Sequence, residues 1–123
     1  MKNIITWFEV PSEDFDRAVN FYNTILGIEI QKMTIENHTM GMFPSAEGQV
    51  AGAIVNSMDF AKPSDQGVNV YFNAGDDLDG ILSRVESAGG KIVVPKTDIG
   101  DFGCMAWIKD SEGNRVGLQQ LKK

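Results

Sequence analysis

At 123 residues, 42% hydrophobic and 23% charged, the chain is long enough to bury one core without help. Eleven Lys and Arg against seventeen Asp and Glu give a formal net charge of −6, which excludes the basic stripe of a nucleic-acid footprint. Its single cysteine, Cys104, excludes an internal disulfide and suits a reducing compartment, and the opening run MKNIITWFEV is too short and interrupted for a signal peptide or membrane span. The expectation is a soluble, cytoplasmic protein with no nucleic-acid or membrane partner.

Ile4 to Val10, rich in apolar and aromatic residues, reads as a strand. Pro11-Ser12-Glu13-Asp14 breaks it and offers Ser12 or Asp14 as a helix N-cap. Positions 15, 18, 19, 22, 25 and 26 form one helical stripe, and Gly27 stops the helix. Ile28 to Met33, Thr39 to Phe43 and Val50 to Val55 read as three short strands, with turns at Asn37-His38 and Ser45 to Gly48. Asn56 to Gln66 reads as a linker.

The second half repeats the plan. Gly67 to Asn73 reads as a strand, Asp76-Asp77 as the cap of a helix from Leu78 to Ala88, and Gly89-Gly90 as its stop. Lys91 to Pro95, Cys104 to Lys109 and Arg115 to Gln120 read as strands; Thr97 to Gly103 is a loop and Asp110 to Asn114 a tight turn. Shifting the numbering by 63 lays Phe15, Ala18, Val19, Tyr22 and Ile25 on Leu78, Ile81, Leu82, Val85 and Ala88, and Gly27 on Gly90. Two such units are each too small to bury a core alone, so they pack together. The plan is α+β: residues 1–123 as one domain of two tandem βαβββ modules, 4–55 and 67–120, joined by 56–66. A cleft where the modules meet is the expected ligand site.

The strings Asp16-Arg17-Ala18, Phe21-Tyr22 and Leu26-Gly27 after a strand–proline break resemble the first module of the vicinal oxygen chelate superfamily. That superfamily includes glyoxalase I, bleomycin-resistance proteins and extradiol dioxygenases. Asp76 to Asp79, Gly89-Gly90-Lys91, Asp110 to Asn114 and Val116-Gly117-Leu118 match its second module in order. Trp7-Phe8-Glu9-Val10-Pro11 resembles a glyoxalase-related branch. The resemblance covers Ile4 to Gln120 and implies curled sheets around a chamber, and a homodimer.

It also implies four His or Glu positions for a divalent ion, on the first and fourth strands of each module. By sequence order they fall near Ile5, at Gly52 or Ala53, at Val68 or Asn69, and near Gly117. Only Asn69 carries a donor, and a weak one, whereas a metal needs three or four good ligands. The expectation is therefore no metal and no cofactor.

Alternation along the first strand puts Ile5, Trp7 and Glu9 on one face. If that face lines the chamber, Glu9 beside an indole in an apolar cleft has a raised pKa and serves as a general base; otherwise it is a solvated strand end. The same alternation puts Asn69, Tyr71 and Asn73 on the inner face of the fifth strand and Gly117 and Gln119 on that of the eighth. There they orient a small ligand or bond across strands, and Phe102 in its loop caps the pocket.

Other features read as structural. His38 reads as an exposed turn residue, Cys104 as a small buried hydrophobe, and Asp76, Asp77 and Asp79 as capping acids without calcium-loop spacing. Asp101-Phe102-Gly103 reads as a turn and the methionines as core filler. Three functions stay open: a metal-free small-molecule binder of the bleomycin-resistance type, a glyoxalase-related lyase or isomerase (or dioxygenase-like enzyme) using Glu9, and a structural or regulatory module.

Overall fold

An apolar stripe at helical spacing builds the first helix and decides what it covers. The computed structural model describes residues 3–35, 38–56 and 62–123. The elements are β1 (Trp7–Ser12), α1 (Phe15–Leu26), β2 (Gln31–Ile35), β3 (His38–Met42), β4 (Ala51–Asn56), β5 (Tyr71–Asn73), α2 (Leu78–Val85), β6 (Lys91–Asp98), a 3₁₀ turn (Gly100–Phe102), β7 (Cys104–Lys109) and β8 (Arg115–Gln120). Asp14 caps α1, its Oδ1 accepting from the Arg17 N–H at 3.0 Å, and Gly27 closes the other end at φ 64°. Ala18, Val19, Phe21, Tyr22 and Ile25 are the residues α1 buries.

Two four-stranded sheets carry the repeat, ordered β1-β4-β3-β2 and β5-β8-β7-β6. In each, the first strand pairs in parallel with the fourth, and the remaining pairings are antiparallel. One apolar cluster crosses both units: Val10 and Ile54 from the first sheet, Ile108 and Leu118 from the second, and the inner faces of α1 and α2. Phe8, Tyr22, Phe43 and Phe72 meet in it with centroids 5.3–5.7 Å apart.

A polar latch also joins the units. The buried Asp110 carboxylate accepts from the Tyr22 hydroxyl at 2.7 Å and from Asn114 Nδ2 at 2.9 Å, and Asn114 Nδ2 also reaches the Pro11 carbonyl at 2.8 Å. Glu112, its side chain closed to solvent, accepts from the N–H groups of Glu13 and Asp14 at 2.9 and 2.7 Å and from Arg17 Nε at 2.7 Å. It therefore satisfies donors at the start of α1 from the opposite module. Burial, then the Asp110 carboxylate, holds the Tyr22 phenol well above its ordinary pKa.

Several boundaries differ from the sequence reading for local reasons. The β2 strand starts at Gln31 rather than Ile28, because Asn23 holds the preceding stretch: its carbonyl accepts from Ile28 N and its side chain from Ile30 N. The β5 strand is three residues, not seven; Gly67 sits at φ 101°, and residues 64–70 meet β8 at Arg115 N–Ser64 O, at Gly117 N–Val70 O and through Arg115 Nη2, which donates to the Gly67 carbonyl at 2.7 Å. The β6 strand runs on to Asp98 through two register shifts, the second of which spans Pro95, which has no N–H for the ladder. Asp77 stands at the N-cap of α2 but its side chain makes no capping bond; the Leu78 N–H donates instead to Gln120 Oε1 at 3.0 Å. The α2 helix ends at Val85, and residues 86–89 form the turn into Gly90.

Candidate functional site

Strand alternation separates two faces of β1. Phe8, Val10 and Ser12 turn toward the core, and Trp7 and Glu9 are exposed on the other side. In β5, Phe72 is buried while Tyr71 and Asn73 are exposed. Register places Gly117 opposite both Tyr71 and Trp107, and Gln119 opposite Asn73 and Met105. The Trp107 indole N–H donates to the Tyr71 hydroxyl at 2.7 Å, and the Arg115 guanidinium lies 5.1 Å over the Trp107 ring. This ties three side chains of the second sheet into one stacked group.

β1 and β5 each form one edge of their sheet, and a cavity of about 940 Å³ lies where they approach. Trp7, Phe8, Phe43, Tyr71 and Phe72 form its aromatic wall, and its polar groups include Glu9, Asn69 and Asn73. A large apolar recess with few polar groups suits a flat organic molecule. The carboxylate of Glu9 accepts from the Trp7 indole N–H at 3.1 Å. Asn73 Oδ1 accepts from Gly75 N at 2.8 Å, whereas the side-chain oxygen and nitrogen of Asn69 are buried with no hydrogen-bond partner among the described residues.

Five of the seven residues singled out in the sequence thus come together: Trp7, Glu9, Asn69, Tyr71 and Asn73. Ile5 lines the same cavity. Gln119 and Phe102 do not line it. Gln119 Nε2 donates to the Phe102 carbonyl at 3.0 Å, which fastens the 3₁₀ turn to β8, and the Phe102 ring is 70% exposed. Sequence reading missed Phe8, Phe43 and Phe72 as wall residues. Nothing in their spacing distinguishes an aromatic that fills a core from one that also borders a recess.

The residues at the four family metal positions do not fit an ion. Ile5 and Val68 carry no donor, and Asn69 offers a single amide. At Gly52 and Gly117 the space that a side chain would need is filled. A Cβ built on Gly52 would fall within the Phe8 ring, and one on Gly117 within the Tyr71 ring. Among the described residues no three His, Cys, Asp or Glu side chains converge as a metal site. His38 is exposed at the start of β3, and Cys104 packs half-buried against the core.

Comparison with known proteins agrees with this architecture. CFP32 of Mycobacterium tuberculosis (strain CDC 1551 / Oshkosh), described as a glyoxylase, is 28% identical over 119 residues, covering 95% of this chain and 45% of its own length. The anthracycline biosynthesis protein DnrV of Streptomyces peucetius is 26% identical, covering 87% of this chain and 43% of its own. The chain thus spans less than half the length of these curated relatives. Among solved structures, TnmS3, an antibiotic binding protein from Streptomyces sp. CB03234, superposes with a TM-score of 0.66 at 22% identity, covering 98% of this chain and 97% of that one. The model of one family matches residues 4–118, nearly the whole chain. With its twice-repeated strand order, this protein belongs to the glyoxalase/bleomycin resistance protein/dioxygenase superfamily.

Proposed function

We propose that this chain binds a flat, largely apolar small molecule in the cavity between β1 and β5, through its own side chains rather than through a metal ion. One observation carries the reading: a recess of about 940 Å³ is walled by five aromatic rings at the point where the family would place metal ligands. TnmS3, a protein of matching length and fold, supports it, since that protein binds an antibiotic. Trp7 would supply stacking area at the mouth, with the Glu9 carboxylate beside it.

The test is calorimetry of the purified chain with 2-acetylnaphthalene as a flat neutral probe. Saturable binding is expected, unchanged by excess EDTA and weakened at least about tenfold by Trp7→Ala. Absence of saturable binding by both this probe and its carboxamide analogue, or binding that a chelator removes and zinc restores, overturns the reading.

A second reading, a lyase or isomerase with Glu9 as general base, has one supporting observation: the Trp7 indole holds that carboxylate at the cavity. It requires that Glu9→Gln abolish turnover without changing the melting temperature; an unchanged rate removes it. We also infer a cytoplasmic homodimer. The lone cysteine suits a reducing compartment, and Met33 and Val93 leave large apolar groups exposed on strand faces outside the cavity. Light scattering should give twice the 13.5 kDa chain mass, and a monomer mass would remove the dimer.

A further inference from the structure

We propose that the side-chain amide of Asn69 is the polar anchor of the cavity. On this view the preferred ligand is a flat molecule presenting a hydrogen-bond donor and acceptor side by side, the edge of a carboxamide, lactam or imide. The inference rests on the binding reading above and adds the chemistry of the guest.

Asn69 lines the cavity, and both polar atoms of its side chain are closed to solvent with no partner among the described residues. An asparagine amide offers one acceptor oxygen and two N–H donors, and buried groups of this kind nearly always find partners. Other asparagines of the fold obey that rule. Asn23 Oδ1 accepts from Ile30 N, and Asn114 is bonded through both ends of its amide. The nearby backbone is already committed, since the Val70 carbonyl accepts from Gly117 N.

An unpaired amide raises the free energy of the empty protein, and a guest that pairs with it relieves that cost on binding. The two free atoms belong to one planar group. A guest with donor and acceptor in the same geometry satisfies both, whereas a ketone satisfies only the N–H side. Because the amide is shut from water in the free protein, it meets the guest only as the packing over it is displaced. The aromatic wall supplies the flat surface against which such an edge is held.

Two nearly isosteric probes separate the terms: naphthalene-2-carboxamide, with donor and acceptor, and 2-acetylnaphthalene, with the acceptor alone. The wild-type chain is expected to bind the carboxamide about tenfold more tightly. Asn69→Leu should abolish that preference, weakening the carboxamide more than the ketone. Its melting temperature should not fall, because an unpaired polar group has been replaced by an apolar one. Equal affinities in the wild type, a preference that persists in Asn69→Leu, or a melting temperature lowered by several degrees would each overturn the anchor while leaving the binding reading standing. Failure of both probes to bind the wild type would remove the reading and the anchor together.

Discussion

The Tyr22 hydroxyl donates a 2.7 Å hydrogen bond to Asp110 Oδ2, joining the first helix to the last turn across 88 residues of chain. The phenol is fully buried, and the carboxylate is 4% exposed. Tyr22→Phe keeps the ring against Phe43 and Phe72 but removes one donor from a buried charge. It should cost about 1.5–3 kcal/mol in chemical denaturation, with an unchanged fold by circular dichroism. Because the folded state raises the phenol pKa, this stability is complete below the ordinary tyrosine value and is lost as pH climbs through the higher folded value. A loss below about 0.5 kcal/mol would mean that the Tyr22–Asp110 bond contributes little to holding the two units together.

Glu112 should make the protein acid-sensitive. Burial alone would push its carboxyl up, but the Arg17 guanidinium, the Asp14 N–H, the Ser111 hydroxyl and the Glu13 N–H outweigh it and hold it below the usual range. A depressed carboxylate contributes stability that is present above its unfolded value and lost as pH falls through the lower folded one. Glu112→Gln should therefore flatten the melting-temperature profile in the acid range below about pH 4.5, and lower stability at neutral pH. Parallel acid profiles for the two proteins would show that the group is not responsible.

The two helix starts should respond differently to truncation. Asp14 accepts a capping bond at α1, so Asp14→Ala should cost about 1 kcal/mol. Asp77 makes none, and its exposed pairing with Arg84 at 3.4 Å contributes little. Asp77→Ala should stay within about 0.5 kcal/mol, while Gln120→Ala, which removes the acceptor for Leu78 N–H, should cost about 1 kcal/mol. Urea titrations of the three variants decide the ranking.

That contrast marks what could be read from residues alone. The apolar stripes at 15–26 and from 78 onward report helix faces directly, so both helices and the repeated strand plan were legible. Alternation also placed Trp7 with Glu9 and Tyr71 with Asn73, because side-chain direction along a strand has period two. The capping partner of α2 was not legible, since Gln120 lies 42 residues away and only tertiary packing brings it there. The same holds for the latch. Asp110 to Asn114 reads as a turn, and nothing local says that its carboxylates serve Tyr22 and the start of α1. Phe102 and Gln119 met each other rather than the cavity, because strand parity fixes a face but not which stretch of that face borders a recess.

The glycines under the aromatic rings give the sharpest prediction about metal binding. Gly117 faces Tyr71 across β8 and β5, and a Cβ there would overlap the ring. Gly117→Ala must therefore swing Tyr71 away and break its 2.7 Å bond from the Trp107 indole. A shifted tryptophan emission is expected, together with a stability loss of about 1–3 kcal/mol for overpacking. Restoring a carboxylate by Gly117→Glu should not confer nickel or zinc binding, because the remaining family positions carry no ligand set and the ring fills the space in between. The double variant Tyr71→Ala, Gly117→Ala clears the overlap and should recover part of the stability lost by Gly117→Ala. If Gly117→Ala leaves the emission spectrum and the melting temperature unchanged, the Tyr71 ring does not rest on the glycine and the aromatic wall is loosely packed there. If Gly117→Glu alone yields stoichiometric metal, the chamber has kept donors that the fold assigns elsewhere.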